Sequence, residues 1–339
     1  MEKNKVLTVA GALLSIFLIG VFLRLGKSFL IPFVLALFIY FILSPILDLL
    51  TRWKLSRGVA MVIVMLVTAL VLYLLGVLFY ESGKSFASEI PKYGQKFNAM
   101  IESIQRTFHL GLTKWDPLVW LKGMNIEKLG SVALSSLGTF LSFLSTFFLV
   151  LIFLMFMLAG RGKLNEKIRR SFSAQRGAQL CAMIDQIDSR VQKYLAIKTA
   201  ISLASGLLTT LILMFFGVDF AVAFGFLTFL LNYIPNIGSF LSKAAPFLLA
   251  IVQFSSFWKA VWILAILTVI DAITGMIIEP RLMGRGLGLS PLGILLALFF
   301  MGWLWGIPGM ILAVPIMAMV KIVCGAFPSL RFLEALLSK

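Results

Sequence analysis

The chain has 339 residues, 60% of them hydrophobic and 13% charged, with a net charge of +16 from 30 Lys and Arg against 14 Asp and Glu. A soluble domain carries about 25% charged residues, and a mean hydropathy of +1.03 excludes a protein that presents its whole surface to water. The positive charge lies between apolar runs, as in cytoplasmic loops, and not on one polar face, so no nucleic acid partner is expected.

In chain order, a short basic start, Met1 to Lys5, precedes an apolar run from Val6 to Leu23. No small-x-small cleavage site follows, so the run reads as a retained helix. A second span covers Phe29 to about Leu47, with Pro32 and Pro45 near its ends, where a missing N–H does least harm. After the basic turn Arg52–Arg57, a third span covers Val59 to Tyr80. Residues 81–130 are polar. Ile90, Tyr93, Phe97, Ile101, Ile104 and Phe108 recur on one helix face, which predicts an extracytoplasmic amphipathic segment on the membrane surface or against a neighbouring subunit. A fourth span covers Val132 to Ala159.

Residues 161–198 hold nine basic residues against Glu166, Asp185 and Asp188. Leu180, Ile184, Ile187, Val191 and Tyr194 form a second helical stripe. This predicts cytoplasmic amphipathic helices beneath the bundle, with anionic lipid or a protein partner as the alternative use of the charge. Further spans are expected at 199–216 and 219–234. The chain is then broken by Pro235, Gly238, Lys243 and Pro246, and the piece 244–254 is too short to cross alone. Another span covers Trp258 to Ile278, followed by a charged, glycine-rich turn from Glu279 to Gly288. The stretch 291–323 is interrupted by Gly302, Gly306, Pro308, Gly309 and Pro315. It exceeds one upright span, so it is either a tilted span with a re-entrant piece or two short helices.

The organisation expected is a three-span region at 1–80, the extracytoplasmic segment at 81–130, a fourth span at 131–160 and basic helices at 161–198. A core with broken helices at 199–325 and a cytoplasmic tail at 326–339 complete it. Basic loops stay inside, which puts both termini in the cytoplasm and requires an even number of crossings. The fold class is an all-α membrane protein of about eight transmembrane helices, with broken or re-entrant segments in its C-terminal half.

The sequence holds no GxxxxGK[ST], HExxH or GxSxG pattern. The two cysteines, Cys181 and Cys324, form no CxxC, and His109 is the single histidine. No enzyme, cofactor or metal site is expected. Irregular backbone at membrane depth is tolerated where it is buried in protein or lines a wet cavity, and transporters place solutes at such breaks. The candidate pathway residues are therefore Asn232, Pro235, Asn236 and Gly238 at the break, Asp271 inside a span, and Glu279, Pro280, Arg281 and Arg285 after it. A carboxylate at mid-span costs about 2.5–3.5 kcal/mol on insertion scales, so Asp271 is expected to face a cavity or a partner helix. Glu279, Arg281 and Arg285 read as a charged gate or an interfacial ion pair. Lys243 reads as a residue that snorkels to the surface. Gly284, Gly302, Gly306, Gly309 and Pro315 read as packing or hinge positions, with Gly302 and Gly306 forming a GxxxG pair.

Three of these elements resemble the autoinducer-2 exporter family of bacterial permeases. Ile234-Pro235-Asn236-Ile237-Gly238 is similar to an Ile-Pro-Tyr-Ile-Gly element. Glu279 to Pro291 resembles the central signature, and Gly306 to Met310 with Ala313-Val314-Pro315 resembles the closing motif. Order and spacing agree. Asn236 stands where that family commonly has Tyr, and Met276 where relatives often have Asn. The resemblance implies an inner-membrane permease in a homo-oligomer, with the lipid bilayer as solvent. It also implies either export of an autoinducer-2-like solute or exchange of sodium or lithium for protons. A non-transporting membrane scaffold or assembly factor is the rival from another class.

Overall fold

The computed structural model describes residues 2–108, 144–161, 163–234, 237–283, 289–327 and 330–338. Thirteen described helices and one π turn follow in chain order. They are α1 (Glu2–Leu25), α2 (Lys27–Arg52), α3 (Arg57–Phe108), α4 (Leu144–Gly160), α5 (Lys163–Ser171), α6 (Ala174–Phe215) and α7 (Ala221–Leu231). Then come α8 (Ile237–Phe254), α9 (Phe257–Ala272), the π turn Ile273–Ile278, α10 (Glu279–Met283), α11 (Pro291–Trp305), α12 (Ile307–Ala326) and α13 (Arg331–Leu337). The protein is an all-α membrane protein. Six described helices are long and apolar enough to cross a bilayer, or seven if the bent pair α4–α5 is one span. Two shorter apolar helices, α7 and α11, lie where the hydropathy pattern places further spans.

Several element boundaries differ from the sequence reading. Pro32 and Pro45 lie inside one continuous helix, α2. The polar stretch after Tyr80 continues α3 without interruption to Phe108 rather than starting a separate surface helix. Likewise α6 carries the end of the basic segment directly into the expected span 199–216. Its stripe at Leu180, Ile184, Ile187, Val191 and Tyr194 is buried or half-buried, as its period predicts. The break expected over Pro235 to Pro246 is narrower: Gly238, Lys243 and Pro246 all belong to α8. The stretch 291–323 resolves into two helices, α11 and α12, joined at Gly306.

The chain divides into two compact units. The first comprises Met1–Thr68, Thr146–Ala196 and Arg285–Lys339. Phe153 of α4 takes the rings of Phe29 and Phe33 edge-on, at 4.9 and 5.5 Å. Arg161, just past α4, donates to Asp48 of α2 at 2.6 Å, and Arg57 donates to the Arg161 carbonyl. Arg24 lies 4.8 Å over the Trp303 ring, and Trp305 Nε1 donates to the Leu23 carbonyl at 3.0 Å. α11 and α12 approach closely: a Cβ on Gly309 would stand 2.0 Å from the Met301 carbonyl oxygen, and one on Gly302 would stand 2.9 Å from Met310 Cγ. Gly302, Gly309 and the fully buried Pro315 are thus packing positions of this hairpin.

The second unit comprises Ala69–Ser145 and Ile197–Gly284. Leu213, Val218, Ala221, Ala250, Ala260, Ile263 and Leu267 form its buried core. α7 and α8 run antiparallel and start and finish at one end. Gln253, near the end of α8, donates to the Gly217 carbonyl at 2.7 Å and accepts from the Asp219 N–H at 2.9 Å. The chain therefore enters at Asp219, turns after Leu231 and returns to where it entered.

Candidate functional site

The turn of that hairpin is where polar side chains gather. Asn232 caps α7 and donates to Ser202 of α6 at 3.0 Å. Tyr233 shares a hydrogen bond with Thr199 of α6 at 2.8 Å. On α6, Lys198, Ser202, Ser205 and Thr209 are all buried. Their spacing of four, three and four puts them in one stripe. The Ser205 hydroxyl is buried and has no hydrogen-bond partner among the described residues. Gly238 opens α8 against the end of α7, where a Cβ would stand 1.8 Å from the Leu231 carbonyl oxygen. Only hydrogen fits there. Pro235 and Asn236 lie outside the described residues, as do Gly284 and Arg285.

Asp271 lies on α9 fourteen residues after Phe257, and Ser239 lies on α8 fourteen residues before Gln253. At about 1.5 Å per residue, both stand about 21 Å from the Gln253 end. Their side chains meet accordingly: Ser239 Oγ donates to Asp271 Oδ1 at 3.0 Å, and Lys243 Nζ donates to Oδ2 at 2.7 Å. Lys243, expected to snorkel, is instead the counter-ion of Asp271, with its side chain 17% exposed. A carboxylate far from water is retained when it is paired and hydrogen-bonded, and both conditions hold here.

The helix then loosens into the π turn, where the Glu279 N–H reaches back five residues to the Thr274 carbonyl. Thr274 is buried, and its hydroxyl donates to the Ile270 and Asp271 carbonyls at 2.9 and 3.1 Å. Such turns recur at functional sites. Eight residues of α-helix would leave Asp271 and Glu279 about 80° apart around the axis. One extra residue taken up in the π turn brings them to within about 20°. Glu279 accepts from Lys198 Nζ with both oxygens, at 2.8 and 3.0 Å. Among the described residues the partner of Glu279 is thus Lys198, while Pro280 and Arg281 are exposed. Met276, one of the two departures from the family pattern, is also exposed.

Lys198 was hidden in the sequence among nine basic residues of a polar segment. Only its place in the helical stripe with Ser202, Ser205 and Thr209 could have marked it. The Gly206–Gly225 contact was also missed. A Cβ on Gly225 would stand 1.7 Å from Thr210 Oγ1 and 2.6 Å from the Gly206 carbonyl oxygen, so α6 and α7 touch backbone to backbone.

At the other end of the unit, Tyr93 of α3 donates to Asp219 Oδ2 at 2.5 Å, and Lys96 donates to the Gln253 carbonyl at 2.9 Å. Burial and this bond to Asp219 hold the Tyr93 hydroxyl well above the ordinary tyrosine value of 10.0. Among the described residues, no group of three His, Cys, Asp or Glu could hold a metal ion.

In sum of chemistry, two carboxylates on one helix carry lysine counter-ions from two others, beside a hydroxyl and amide stripe at a helix break. Such a set can exchange a proton and hydrogen-bond a polar solute. A family model described as AI-2E family transporter matches residues 12–329. The chain is 34% identical to the AI-2 transport protein TqsA of Escherichia coli (strain K12) over 321 residues, which cover 91% of this chain and 89% of that protein. It is 29% identical over 297 residues to YhhT of the same strain, whose transport role is itself a provisional assignment, covering 88% and 84%.

Proposed function

This chain belongs to the AI-2E transporter family, and we propose that it is a secondary transporter that exports a small polar solute, an AI-2-like molecule being the first candidate. The observation that carries this reading is the Lys243–Asp271–Ser239 cluster, which joins two helices beside the break at Asn232. Asp271 carries the coupling proton. Protonation removes the charge that holds Lys243, so the state of the carboxyl and the packing of α8 on α9 are linked. Asn232 and Asn236 line the path, and Arg281 and Arg285 steer solute toward it.

The solute class rests on the TqsA name, which says that this relative transports AI-2. Sodium or lithium exchange is less favoured, because both carboxylates already carry lysine counter-ions, whereas a cation site offers several free oxygens. The basic flank 161–198 supports an orientation in a bacterial inner membrane with both termini in the cytoplasm. The working form is a homo-oligomer.

The test is flux in proteoliposomes. Solute movement should follow an imposed pH gradient, and Asp271→Asn should abolish that dependence in a protein that still folds. Proton-coupled flux that is unchanged in Asp271→Asn overturns the proton role. A chain that moves no solute but retains a stable protein partner is a scaffold.

A further inference from the structure

We propose that the α7–α8 hairpin is the moving element of transport, turning on the joints Gly217–Phe220 and Gln253–Ser256 while Tyr93 and Lys96 of α3 hold those joints still. This rests on the transport reading above and names the part that moves.

The two ends of the hairpin are held very differently. At the joints, Gln253 bonds both Gly217 and Asp219, and α3 adds the Tyr93–Asp219 and Lys96–Gln253 bonds. The Tyr93 bond has an ionised acceptor, and the Lys96 bond an ionised donor, which makes each roughly twice as strong as a neutral one. Tyr93 is buried to 8% exposure and meets the Phe220 ring edge-on at 6.4 Å. The joints also contain backbone that departs from helix. Gly217, Phe220 and Ser255 have φ of 70, 59 and 49°. For a residue as bulky as Phe that conformation is strained. Hinges are built from a few such residues between elements, which absorb the change in backbone angle.

Among the described residues, the free end is held by two neutral hydrogen bonds, Asn232–Ser202 and Tyr233–Thr199. Between the ends, α7 rests on α6 through Gly206 and Gly225. Small residues at such a crossing let the backbones approach closely. Among the described residues one charged clasp remains, the Lys243 and Ser239 bonds to Asp271. A proton on Asp271 removes the negative charge from that clasp. Loading the carboxyl and releasing the hairpin are then one event, and the gate opens only when the proton is aboard.

The chain's two cysteines make this testable by mercuric ion, which bridges adjacent thiols. In a Cys181→Ser, Cys324→Ser background, one protein carries Ser202→Cys with Asn232→Cys at the free end. A second carries Tyr93→Cys with Asp219→Cys at the joint. The bridging rate is read from the thiols left free for a maleimide polymer, with and without Asp271→Asn. Asp271→Asn should slow bridging at the free end about three- to tenfold, the weight of a neutral hydrogen bond or two, and leave the joint rate unchanged. Where these proteins transport, bridging the free end should stop flux, excess thiol should restore it, and bridging the joint should not alter it. A free-end rate indifferent to Asp271→Asn, or a joint bridge that stops flux, overturns the hairpin proposal while transport stands. The expected bridging pattern in the paired-cysteine proteins, with no flux even before any bridge forms, supports the motion and removes the transport reading.

Discussion

Lys198 and Glu279 meet with one ammonium nitrogen between two carboxylate oxygens, at 2.8 and 3.0 Å, and with side chains 7% and 26% exposed. A pair this enclosed is weak evidence of net stability, yet breaking it from one side is costly, because a charge is left without its partner.

Lys198→Met should therefore destabilise the protein by about 3 kcal/mol, the lower end for a broken buried pair, because Glu279 keeps some access to solvent. Adding Glu279→Gln should recover most of that loss. Thermal unfolding in detergent measures both. Additive losses in the double variant would show that the two residues do not work as a pair.

The two kinds of glycine in the second unit should behave oppositely. Gly225→Ala puts a methyl 1.7 Å from Thr210 Oγ1 and against the Gly206 carbonyl, so α6 and α7 must separate, at about 1–3 kcal/mol. A Cβ on Gly275 would meet nothing within 4 Å, so Gly275→Ala should be neutral or stabilising by up to about 1 kcal/mol. Equal unfolding temperatures for the two variants would refute the close crossing.

Gly306 joins α11 to α12 at φ 69° and ψ −144°, a combination nearly confined to glycine. Space is not limiting, since a Cβ there would meet nothing within 4 Å. Gly306→Ala should still cost about 1–3 kcal/mol through backbone strain alone. A variant as stable as the parent would mean that the joint relaxes into another conformation.

Tyr93 sets an alkaline limit on the joint. Its neutral form is favoured by burial and by Asp219, so its folded pKa lies above the unfolded one. The stability it contributes is present in full below pH 10 and is lost as pH rises through the raised folded value. Tyr93→Phe should remove one late step from the phenolate absorbance titration and flatten the alkaline fall in stability. Loss of an ordinary step near pH 10 in place of a late one would place Tyr93 in water.

Much of this protein is decided by its sequence alone. Apolar runs, basic turns and the order of the signature elements are local properties, and together they fix membrane residence, helical class and family. Asp271 stood out for the same reason: a carboxylate inside the run 258–278 is anomalous wherever the run packs. Local pattern does not say which residues will meet. Lys198 looked like any other base of 161–198 because its partner is 81 residues away. The return of α7 and α8 to one end depends on Gln253 reaching Gly217 and Asp219, which hydropathy does not encode. For an isolated lysine in an apolar run, snorkelling to the surface is one resolution. Tertiary structure supplied the other resolution, a counter-ion on the next helix. The pairing of charges in a low-dielectric medium depends on distances of a few ångströms, and those are set only when the helices have packed.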